Sequence, residues 1–530
     1  MGGFMTTVEK IRCGKTSLGI EFGSTRIKAV LIDDSYAPVA SGAYDWENKL
    51  ENGYWTYSQD EIIKGLKGCY SSLAADVKLQ YGIELETVGT LGISAMMHGY
   101  LAFDKEDNLL VPFRTWRNTT TAQAAEQLTE LFGFNIPQRW SISHLYQAVL
   151  NKEEHVPSIA HITTLAGYVH YLLTGERAVG AGEAAGMFPI SDSRSYNTEM
   201  LDKFDELMKP YGYDWSIRSV LPECRPAGAK GAALTEAGAR LLDDSGRLRA
   251  GIPMCPPEGD AGTGMVATNS VLPRTGNVSA GTSIFSMLVL EKPLENVYTE
   301  IDMVATPDGM PVAMVHCNNC CSELDAWVKL FAEFAALSGN TPDKSELYTM
   351  LYRNALNADA DCGGVVAYNF LSGEPVAGVD EGRPMYFRTA EGSFGLANFM
   401  RAQLYSSMAT LKIGMDILTE YEQVPVEKIT GHGGLFKVQG VAQQFLADAL
   451  GADVSVMKTA GEGGAWGMAL LAAYMSKGSE MTLPEFLERE VFASMESSTV
   501  SPDKDGADGF ARFMVNYKRG LAAQRAAGNN

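Results

Sequence analysis

The chain has 530 residues, 46% hydrophobic and 20% charged, which is the composition of a folded globular protein with room for two or more cores. Its 43 Lys and Arg against 64 Asp and Glu give a formal net charge of −21, which argues against nucleic acid or an anionic membrane as the main partner. Eight cysteines are too few for a disulfide framework, and the sequence has no apolar run typical of a signal peptide or a membrane span. We therefore expect a cytoplasmic protein with reduced thiols.

The first half of the chain alternates between predicted strands and helices. In chain order the sequence predicts two strands joined by a glycine turn within Ser17–Asp33, a strand at Pro38–Trp46, a helix at Ser58–Leu79, strands at Val88–Met96 and Leu109–Arg117, helices at Thr119–Phe132 and His161–Thr174, and a flexible loop at Gly180–Met187. The strand that ends at Met96 runs into Met97–Gly99. These residues therefore emerge where open α/β sheets bind ligands.

The centre of the chain carries the clearest chemical signal. Asp260 is the only acid in a turn of small residues predicted at Gly259–Gly264, where a substrate can approach its carboxylate closely. After a proline break, a turn of Gly281, Thr282 and Ser283 between two predicted strands can direct N–H groups and hydroxyls at a phosphate. An acid so close to a phosphate cradle indicates phosphoryl transfer. The alternative is two surface turns joined by an interdomain linker.

The second half repeats part of the first. Asn277–Leu290 aligns with Gly19–Ile32, so that Gly281 falls on Gly23, and this predicts two copies of one domain. The other predicted elements are a strand at Pro311–His316, a helix at Ala397–Leu418, a strand with a glycine turn at Ile429–Gly434, a helix at Gly440–Leu450, a strand at Val454–Met457, a small-residue helix at Gly461–Tyr474, a turn-rich break at Ser501–Gly509 and a mostly exposed helix at Phe510–Arg525.

As a set, these motifs resemble those of the FGGY carbohydrate kinases, a family of the actin/hexokinase/Hsp70 ATPase superfamily. The matching motifs are Ile20–Thr25 and Ser279–Ser283 for phosphate, Gly431–Gly434 with Gln443–Asp448 for adenosine, Met97–Gly99 on the sugar side, and Tyr368–Glu374 as the loop near the nucleotide. The resemblance implies an α/β fold of two ribonuclease-H-like (actin-like ATPase) domains with a central cleft, in which residues 1–271 bind the sugar and residues 272–530 bind the nucleotide.

The resemblance also implies a reaction, namely ATP-dependent phosphorylation of a hydroxyl on a ketopentose of the xylulose or ribulose type, or on a related ketose or polyol. Asp260 would be the general base, and Mg²⁺ would be held mainly through water by Glu21 and Asp260. The remaining roles would be phosphate binding by Gly23, Ser24, Thr25, Gly281, Thr282 and Ser283, nucleotide binding by Gly433, Gly434 and Gln443, and sugar binding by Met97, His98, Trp116 and Asn118. The expected partners are the sugar and ATP, without nucleic acid or membrane, and a homodimer is compatible with this.

Three residues depart from the pattern of the family. Glu21 stands where Asp is usual, and Met96 and Asn118 stand where xylulokinases have Gln and Asp. Because an Asn donates as well as accepts, the sugar and its stereochemistry stay open. Two other functions also stay open. One is an actin-like switch ATPase, and the other is a sugar-binding regulator without catalysis, which only Glu21 supports.

Several candidates have a structural alternative. His98 could be a hydrogen-bonded structural histidine, Trp116 could belong to the core, and Arg117 could be solvated or salt-bridged. The sequence His316–Cys321 looks like a metal knuckle, but no second Cys/His pair lies nearby in the chain. We favour small buried residues at the start of a helix, with Asn318 or Asn319 reaching the active cleft. Residues 183–186 are a further candidate for substrate contact.

Overall fold

The structure is a computed structural model that describes residues 5–191, 194–457 and 463–528. Its strands are Thr16–Phe22 (β1), Arg26–Asp33 (β2), Pro38–Asp45 (β3), Lys49–Glu51 (β4), Tyr54–Thr56 (β5), Thr90–Ala95 (β6), Leu101–Phe103 (β7), His161–Thr163 (β8), Ala178–Gly180 (β9), Glu223–Arg225 (β10), Glu258–Gly259 (β11), Thr275–Ala280 (β12), Ile284–Val289 (β13), Ile301–Ala305 (β14), Pro311–Cys317 (β15), Val365–Tyr368 (β16), Met385–Arg388 (β17), Lys428–His432 (β18), Asp453–Met457 (β19) and Ser497–Val500 (β20).

Helices occupy much of the remaining chain. The α-helices are Thr7–Arg12 (α1), Gln59–Tyr81 (α2), Ala122–Phe132 (α3), Ser141–Leu150 (α4), Leu165–Thr174 (α5), Ala181–Ala185 (α6), Thr198–Met208 (α7), Ile217–Val220 (α8), Glu236–Leu242 (α9), Asp260–Ala267 (α10), Ser322–Leu337 (α11), Lys344–Asn354 (α12), Leu396–Asp416 (α13), Val441–Leu450 (α14), Gly463–Tyr474 (α15), Leu483–Phe486 (α16) and Lys504–Gly528 (α17). None of the helices in the described residues has both the length and the apolar character needed to cross a bilayer.

The chain forms two compact units. The first contains the described residues up to Val271 together with residues 302–312 and 463–494, and the second contains residues 272–301, 313–457 and 495–528. Two stretches from the second half of the chain therefore pack with the first unit.

The first unit is built on a five-stranded sheet with the order β11-β6-β1-β2-β3. Strand β1 is antiparallel to β2 and parallel to β6, and β6 is parallel to β11. Apolar side chains of these strands and of α2, α5 and α9 form one buried core, with examples at Leu18, Ile20, Leu66, Leu73, Ile93, Val169 and Leu242. Because β1, β6 and β11 run in the same direction, the residues that follow them emerge at one edge of the sheet.

Helix α15 covers this sheet, as its small residues predict. It packs against β1, β2 and β6, and a Cβ atom added to Gly19 would lie 2.1 Å from the carbonyl oxygen of Ala465. The absence of a side chain on Gly19 thus allows close contact between helix and sheet. The first two residues of the predicted helix, Gly461 and Glu462, lie outside the described residues.

The sheet of the second unit repeats this arrangement. Strands β15, β13, β12, β18, β19 and β20 are consecutive neighbours. Strand β12 is antiparallel to β13 and parallel to β18, as β1 is antiparallel to β2 and parallel to β6. The predicted sequence repeat is therefore confirmed as two strand–turn–strand hairpins, each beside a parallel strand.

The structure corrects two predictions near the site. The turn predicted around Asp260 is a helix, because α10 begins at this residue and continues through the small residues to Ala267. The flexible loop predicted at Gly180–Met187 contains the buried helix α6. In both places the glycines suggested turns, but the two segments are closely packed and form helices.

Three further predictions were wrong. Leu109–Arg117 forms only isolated bridges, because Pro112 interrupts the segment and has no N–H for a ladder. The helix predicted at His161–Thr174 is divided into strand β8, which pairs with β7, and helix α5, which is capped by Thr164. The break predicted at Ser501–Gly509 is largely helical, because α17 begins at Lys504. One face of α17 is buried, so the helix is less exposed than expected.

Candidate active site

The carboxyl ends of β1, β6 and β11 bring three sequence motifs together in the first unit. In the register of the sheet, Ala95 is the neighbour of both Phe22 and Gly259. The residues that follow these three strand ends are therefore Gly23 after β1, Met97 after β6 and Asp260 after β11. The structure places the predicted base beside the predicted sugar motif and the first phosphate motif.

Asp260 is held at the start of α10 by two backbone hydrogen bonds. Its Oδ1 accepts the N–H groups of Met97 at 3.1 Å and of Ala261 at 3.0 Å. The residue remains partly exposed to solvent. Desolvation raises the pKa of Asp260 above its usual value, and these two hydrogen bonds oppose that rise. The dipole of α10 also favours the anion, so the carboxylate is suited to accept a proton.

Glu21 reaches the N-terminus of α15. Its Oε2 accepts the N–H of Ala465 at 3.2 Å, and a Cβ atom added to Gly464 would lie 2.3 Å from its Oε1. Desolvation and then the charge of Asp260 raise the pKa of Glu21 to about 7, while Lys28 on the neighbouring strand lowers it. The carboxylates of Glu21 and Asp260 are thus close enough to repel each other, and a cation between them would relieve the repulsion.

The turn Gly23–Thr25, which is predicted to bind phosphate, is held by aromatic residues to which the sequence analysis gave no role. Nε1 of Trp46 donates to the carbonyl oxygen of Gly23 at 2.7 Å, and the Tyr57 hydroxyl donates to that of Ser24 at 2.6 Å. The backbone N–H of Trp46 donates to the carbonyl oxygen of Thr25 at 3.1 Å, and the Trp46 and Tyr57 rings stack at 4.0 Å. Each carbonyl of the turn therefore has a donor. Trp46 ends a predicted strand, but no sequence pattern indicated Tyr57.

The sugar-side motif has an unusual backbone. His98 is buried and has a φ of 70°, a left-handed conformation that costs a non-glycine residue roughly 1–3 kcal/mol. Its Nδ1 lies 3.2 Å from the carbonyl oxygen of Gly186, which follows α6, and its ring stacks near Trp140. The segment at residues 183–186 thus packs directly against the sugar-side motif. Strain of this kind is common at ligand sites.

Asn118 and its neighbours are engaged in local contacts. Oδ1 of Asn118 accepts the N–H of Trp55 at 2.8 Å, and its Nδ2 donates to the carbonyl oxygens of Trp55 and Thr115, both at 2.9 Å. Recognition of a sugar by this buried amide would require these bonds to break. Trp116 is half-buried against the core. Arg117 is exposed, donates to Asn48 and lies 3.8 Å above the Trp55 ring.

Two more acids, Glu258 and Glu183, lie close to Asp260. The sequence analysis gave Glu258 no role and included Glu183 only in the candidate contact segment 183–186. Oε1 of Glu258 accepts the N–H of Gly259 at 3.1 Å. Desolvation raises the pKa of Glu258 to about 7, and N–H groups of Gly259, Glu183 and Gly182 oppose the rise. Glu183 has no solvent exposure, and desolvation raises its pKa well above the usual value. Burial therefore disfavours the charged form of Glu183, whereas Asp260 is partly exposed.

In the second unit, two glycine turns lie side by side. Strands β12 and β18 are parallel neighbours with Ser279 opposite His432, so their turns emerge at the same edge. Gly433 has a φ of 103°, and a Cβ atom there would lie 2.3 Å from the carbonyl oxygen of Ala280. Glycine is therefore required for this contact. The predicted phosphate turn Gly281–Ser283 and the predicted adenosine turn Gly433–Gly434 form one continuous surface.

Gln443 and the cysteine segment have structural roles. Nε2 of Gln443 donates to the carbonyl oxygens of Val454 and Ser498 at 2.9 and 2.8 Å, so this buried amide joins α14 to the edge of the sheet. Cys320 is buried just before α11, which confirms small buried residues at a helix start. In the parts of the chain that the structure describes, no group of three or more His, Cys, Asp or Glu is placed to hold a metal ion.

Comparison with known proteins identifies the family. Residues 16–266 match the N-terminal domain and residues 276–476 the C-terminal domain of the FGGY family of carbohydrate kinases. The chain belongs to the FGGY family of carbohydrate kinases. It is therefore a kinase that transfers a phosphoryl group from ATP to a sugar hydroxyl.

Relatives of this FGGY kinase match along nearly the whole chain. A xylulose kinase from Haemophilus influenzae is 22% identical over 95% of this chain and 99% of its own length. The solved xylulose kinase from Rhodospirillum rubrum has a TM-score of 0.77 and 16% identity, covering 97% of this chain and 100% of its own. A gluconate kinase structure from Lactobacillus acidophilus has a TM-score of 0.76 and 17% identity, covering 96% and 98%. These likenesses confirm the two-domain, actin-like α/β fold.

Proposed function

We propose that this kinase phosphorylates a ketopentose of the xylulose or ribulose type, or a related ketose or polyol, with Asp260 as the general base. The observation that carries the proposal is the position of Asp260, which is partly exposed at the end of β11 and bonded to the backbone of Met97. A sugar beside Met97 and His98 would present a hydroxyl to this carboxylate. The name of the Haemophilus influenzae relative supports a xylulose-type substrate.

In the proposed reaction, Asp260 accepts the proton of the sugar hydroxyl while the hydroxyl oxygen bonds to the γ-phosphorus of ATP. The bond from the γ-phosphorus to the bridging oxygen breaks, and its electron pair leaves with ADP. The products are ADP, the sugar phosphate and a proton on Asp260. Transfer of this kind depends mainly on positioning and charge neutralisation, which the turns at Gly23–Thr25 and Gly281–Ser283 would supply to the phosphates.

Glu21 and Asp260 would hold Mg²⁺. A site with two carboxylates and no third suits Mg²⁺, because this ion keeps several waters and also binds phosphate oxygens. When bound, Mg²⁺ supplies positive charge to the β- and γ-phosphates. Glu21 is longer by one CH₂ than the Asp usual in the family, so its distance to the ion would have to adjust. The mutual repulsion of the two carboxylates supports this assignment.

The other assignments follow from the motifs. Residues 1–271 would bind the sugar and residues 272–530 the nucleotide, with Gly433 and Gly434 beside the adenosine. We expect a cytoplasmic enzyme that works alone or as a homodimer, without nucleic acid or membrane partners. Its net charge of −21 and the absence of a membrane-spanning helix among the described residues support this.

The substrate can be identified by measuring ADP release with pentuloses, hexuloses, polyols and sugar acids. Sugar acids belong in the screen because a gluconate kinase shares the fold. We expect a ketose or polyol to raise ADP release well above the rate without sugar. Equal rates with every sugar would reject the proposed substrate class.

The base is tested with Asp260→Asn, which keeps the shape of the side chain but cannot accept the proton. We expect kcat to fall roughly 10²- to 10⁴-fold, the usual contribution of a general base, while sugar binding measured by calorimetry is retained. The exposed acid Asp244, which pairs with Lys67, provides the control variant Asp244→Asn with unchanged kcat. Wild-type kcat in Asp260→Asn would reject Asp260 as the base.

A further inference from the structure

The segment Asn318–Cys321 is bonded to the phosphate turn of the second unit. The N–H of Cys320 donates to the carbonyl oxygen of Thr282 at 2.9 Å, and the N–H of Cys321 donates to that of Gly281 at 3.0 Å. These two bonds use only carbonyl oxygens of the turn, while the N–H of Gly281 donates to the carbonyl oxygen of Ser283 at 2.9 Å. The segment that resembled a metal knuckle therefore lies directly behind the phosphate turn.

The same segment is bonded to a second loop, Asn369–Glu374, through the side chain of Asn319. Its Oδ1 accepts the N–H groups of Leu371 at 2.9 Å and Ser372 at 3.1 Å. Its Nδ2 donates to Oε2 of Glu374 at 3.1 Å and to the carbonyl oxygen of Ser372 at 3.3 Å. Asn319 is only 4% exposed, so its whole hydrogen-bonding capacity is used inside the protein.

Both ends of the loop are anchored in this way. Nδ2 of Asn369 donates to the carbonyl oxygen of Cys320 at 2.9 Å, and the backbone N–H of Asn319 donates to Glu374 at 3.2 Å. Glu374 has no solvent exposure, whereas Leu371 is 56% exposed. The loop thus presents a solvent-facing tip on an immobilised base.

We infer that Asn319 is a positioning residue for the nucleotide, because it holds the loop Asn369–Glu374 in a fixed place relative to the phosphate turn Gly281–Ser283. The inference rests on the proposed assignment of nucleotide binding to this part of the chain. Its physical basis is preorganisation. A loop that is already ordered costs less conformational entropy when a ligand binds. The amide of Asn319 suits this position because its oxygen accepts from two N–H groups while its nitrogen donates to a carboxylate.

The test compares Asn319→Ala with Asn296→Ala. Asn296 also belongs to the second unit, but it is exposed, and its amide donates to Glu422 at 3.0 Å, a partner outside the loop Asn369–Glu374. The Kd of ADP is measured by calorimetry without sugar, and the KM values for ATP and sugar are measured separately. We expect Asn319→Ala to weaken ADP binding roughly tenfold or more, because the buried N–H groups of Leu371 and Ser372 lose their acceptor and the loop is no longer held in place. The sugar KM should stay within twofold, and Asn296→Ala should resemble the wild type.

Asn319→Asp provides a second variant with a pH-dependent readout. It keeps the acceptor for Leu371 and Ser372 but no longer donates to Glu374. Burial raises the pKa of Glu374 to about 7, and the groups facing it, Cys317 and Tyr517, have pKa values raised well above their usual values, so both stay neutral. The lost amide donor and the new carboxyl beside it raise the pKa of Glu374 further in this variant. The loss of ADP affinity in Asn319→Asp should therefore increase as the pH rises above about 7, where both carboxyls become charged.

The wild-type enzyme gives a measurement that needs no variant. We expect the amide hydrogens of Leu371 and Ser372 to exchange slowly with deuterium before ADP is added. Fast exchange of both amides, or ADP affinity within twofold of wild type in Asn319→Ala, would overturn the inference. These outcomes are separate from a failure of the proposed sugar reaction, which would leave a wild-type chain that binds ADP but phosphorylates no sugar.

Discussion

The two glycine turns that align in sequence differ in how the protein supports them. In the first unit, Trp46 and Tyr57 donate side-chain hydrogen bonds to the turn carbonyls, whereas in the second unit the backbone N–H groups of Cys320 and Cys321 do so. Trp46 follows strand β3 and Tyr57 follows strand β5, whereas Cys320 and Cys321 directly precede helix α11. Similar turns therefore do not require similar supporting residues.

The strand pairing of the two hairpins also differs. Phe22 pairs with Ile27, which leaves four residues in the first turn, and Ala280 pairs with Ile284, which leaves three in the second. The ungapped sequence alignment is therefore out of register by one residue after the turn. Because a shift of one residue moves side chains to the opposite face of a sheet, the alignment locates the turns but not the facing residues beyond them.

The hairpins differ in charge as well. Glu21 precedes the first turn, and the aligned residue before the second turn is Ser279. A carboxylate is therefore available at only one of the two aligned positions. This difference suits a metal-binding role for the first hairpin, in addition to the phosphate contact that is proposed for both turns.

The largest expected effect concerns the buried acid beside the second turn. In the folded protein the pKa of Glu374 is about 7, against 4.5 for an ordinary Glu, so the folded state binds more protons than the unfolded state between these values. Stability from this group therefore falls as pH rises from about 4.5 to 7 and is constant above, by about 3 kcal/mol in total. Glu374→Gln should reduce this pH dependence of the melting temperature. An unchanged pH profile would contradict the raised pKa.

The next effect tests the charge difference between the hairpins. Glu21→Ala should lower kcat roughly 10- to 100-fold, which is the usual cost of losing a group that supports a metal ion through a bound water or ligand. Excess Mg²⁺ should recover part of the loss if the ion is bound more weakly. Ser279→Ala, at the aligned position, should change kcat less than twofold. Equal effects of the two variants would remove the distinction between the hairpins.

The smallest effect concerns the aromatic support of the first turn. Tyr57→Phe removes the hydrogen bond to the carbonyl oxygen of Ser24 and should cost about 1 kcal/mol of stability, with a severalfold rise in the KM for ATP. Tyr81→Phe is the control, because Tyr81 donates to the carbonyl oxygen of Val39 at 2.8 Å, away from the turn. The control should lose similar stability without a change in KM. The same KM in both variants would show that Tyr57 does not position the turn.

Local sequence patterns were enough to predict the two hairpins, the family and the candidate base of this enzyme. Alternating apolar residues and glycine turns predicted the hairpins, and the set of motifs around those turns indicated the kinase family. Asp260 could be singled out because it is an isolated acid among small residues. These features depend on residues that are only a few positions apart in the chain, so a single sequence is enough to predict them.

Tertiary structure decided what depends on residues far apart in the chain. Ala465 donates to Glu21 across 444 residues, so the helix that completes the carboxylate site of the first unit comes from the end of the second half. The bonds that occupy Asn118 and the packing that makes a helix of residues 181–185 are likewise set by distant partners. A side chain can look free in the sequence and still be fully bonded, because burial and hydrogen bonding depend on which segments the fold brings together.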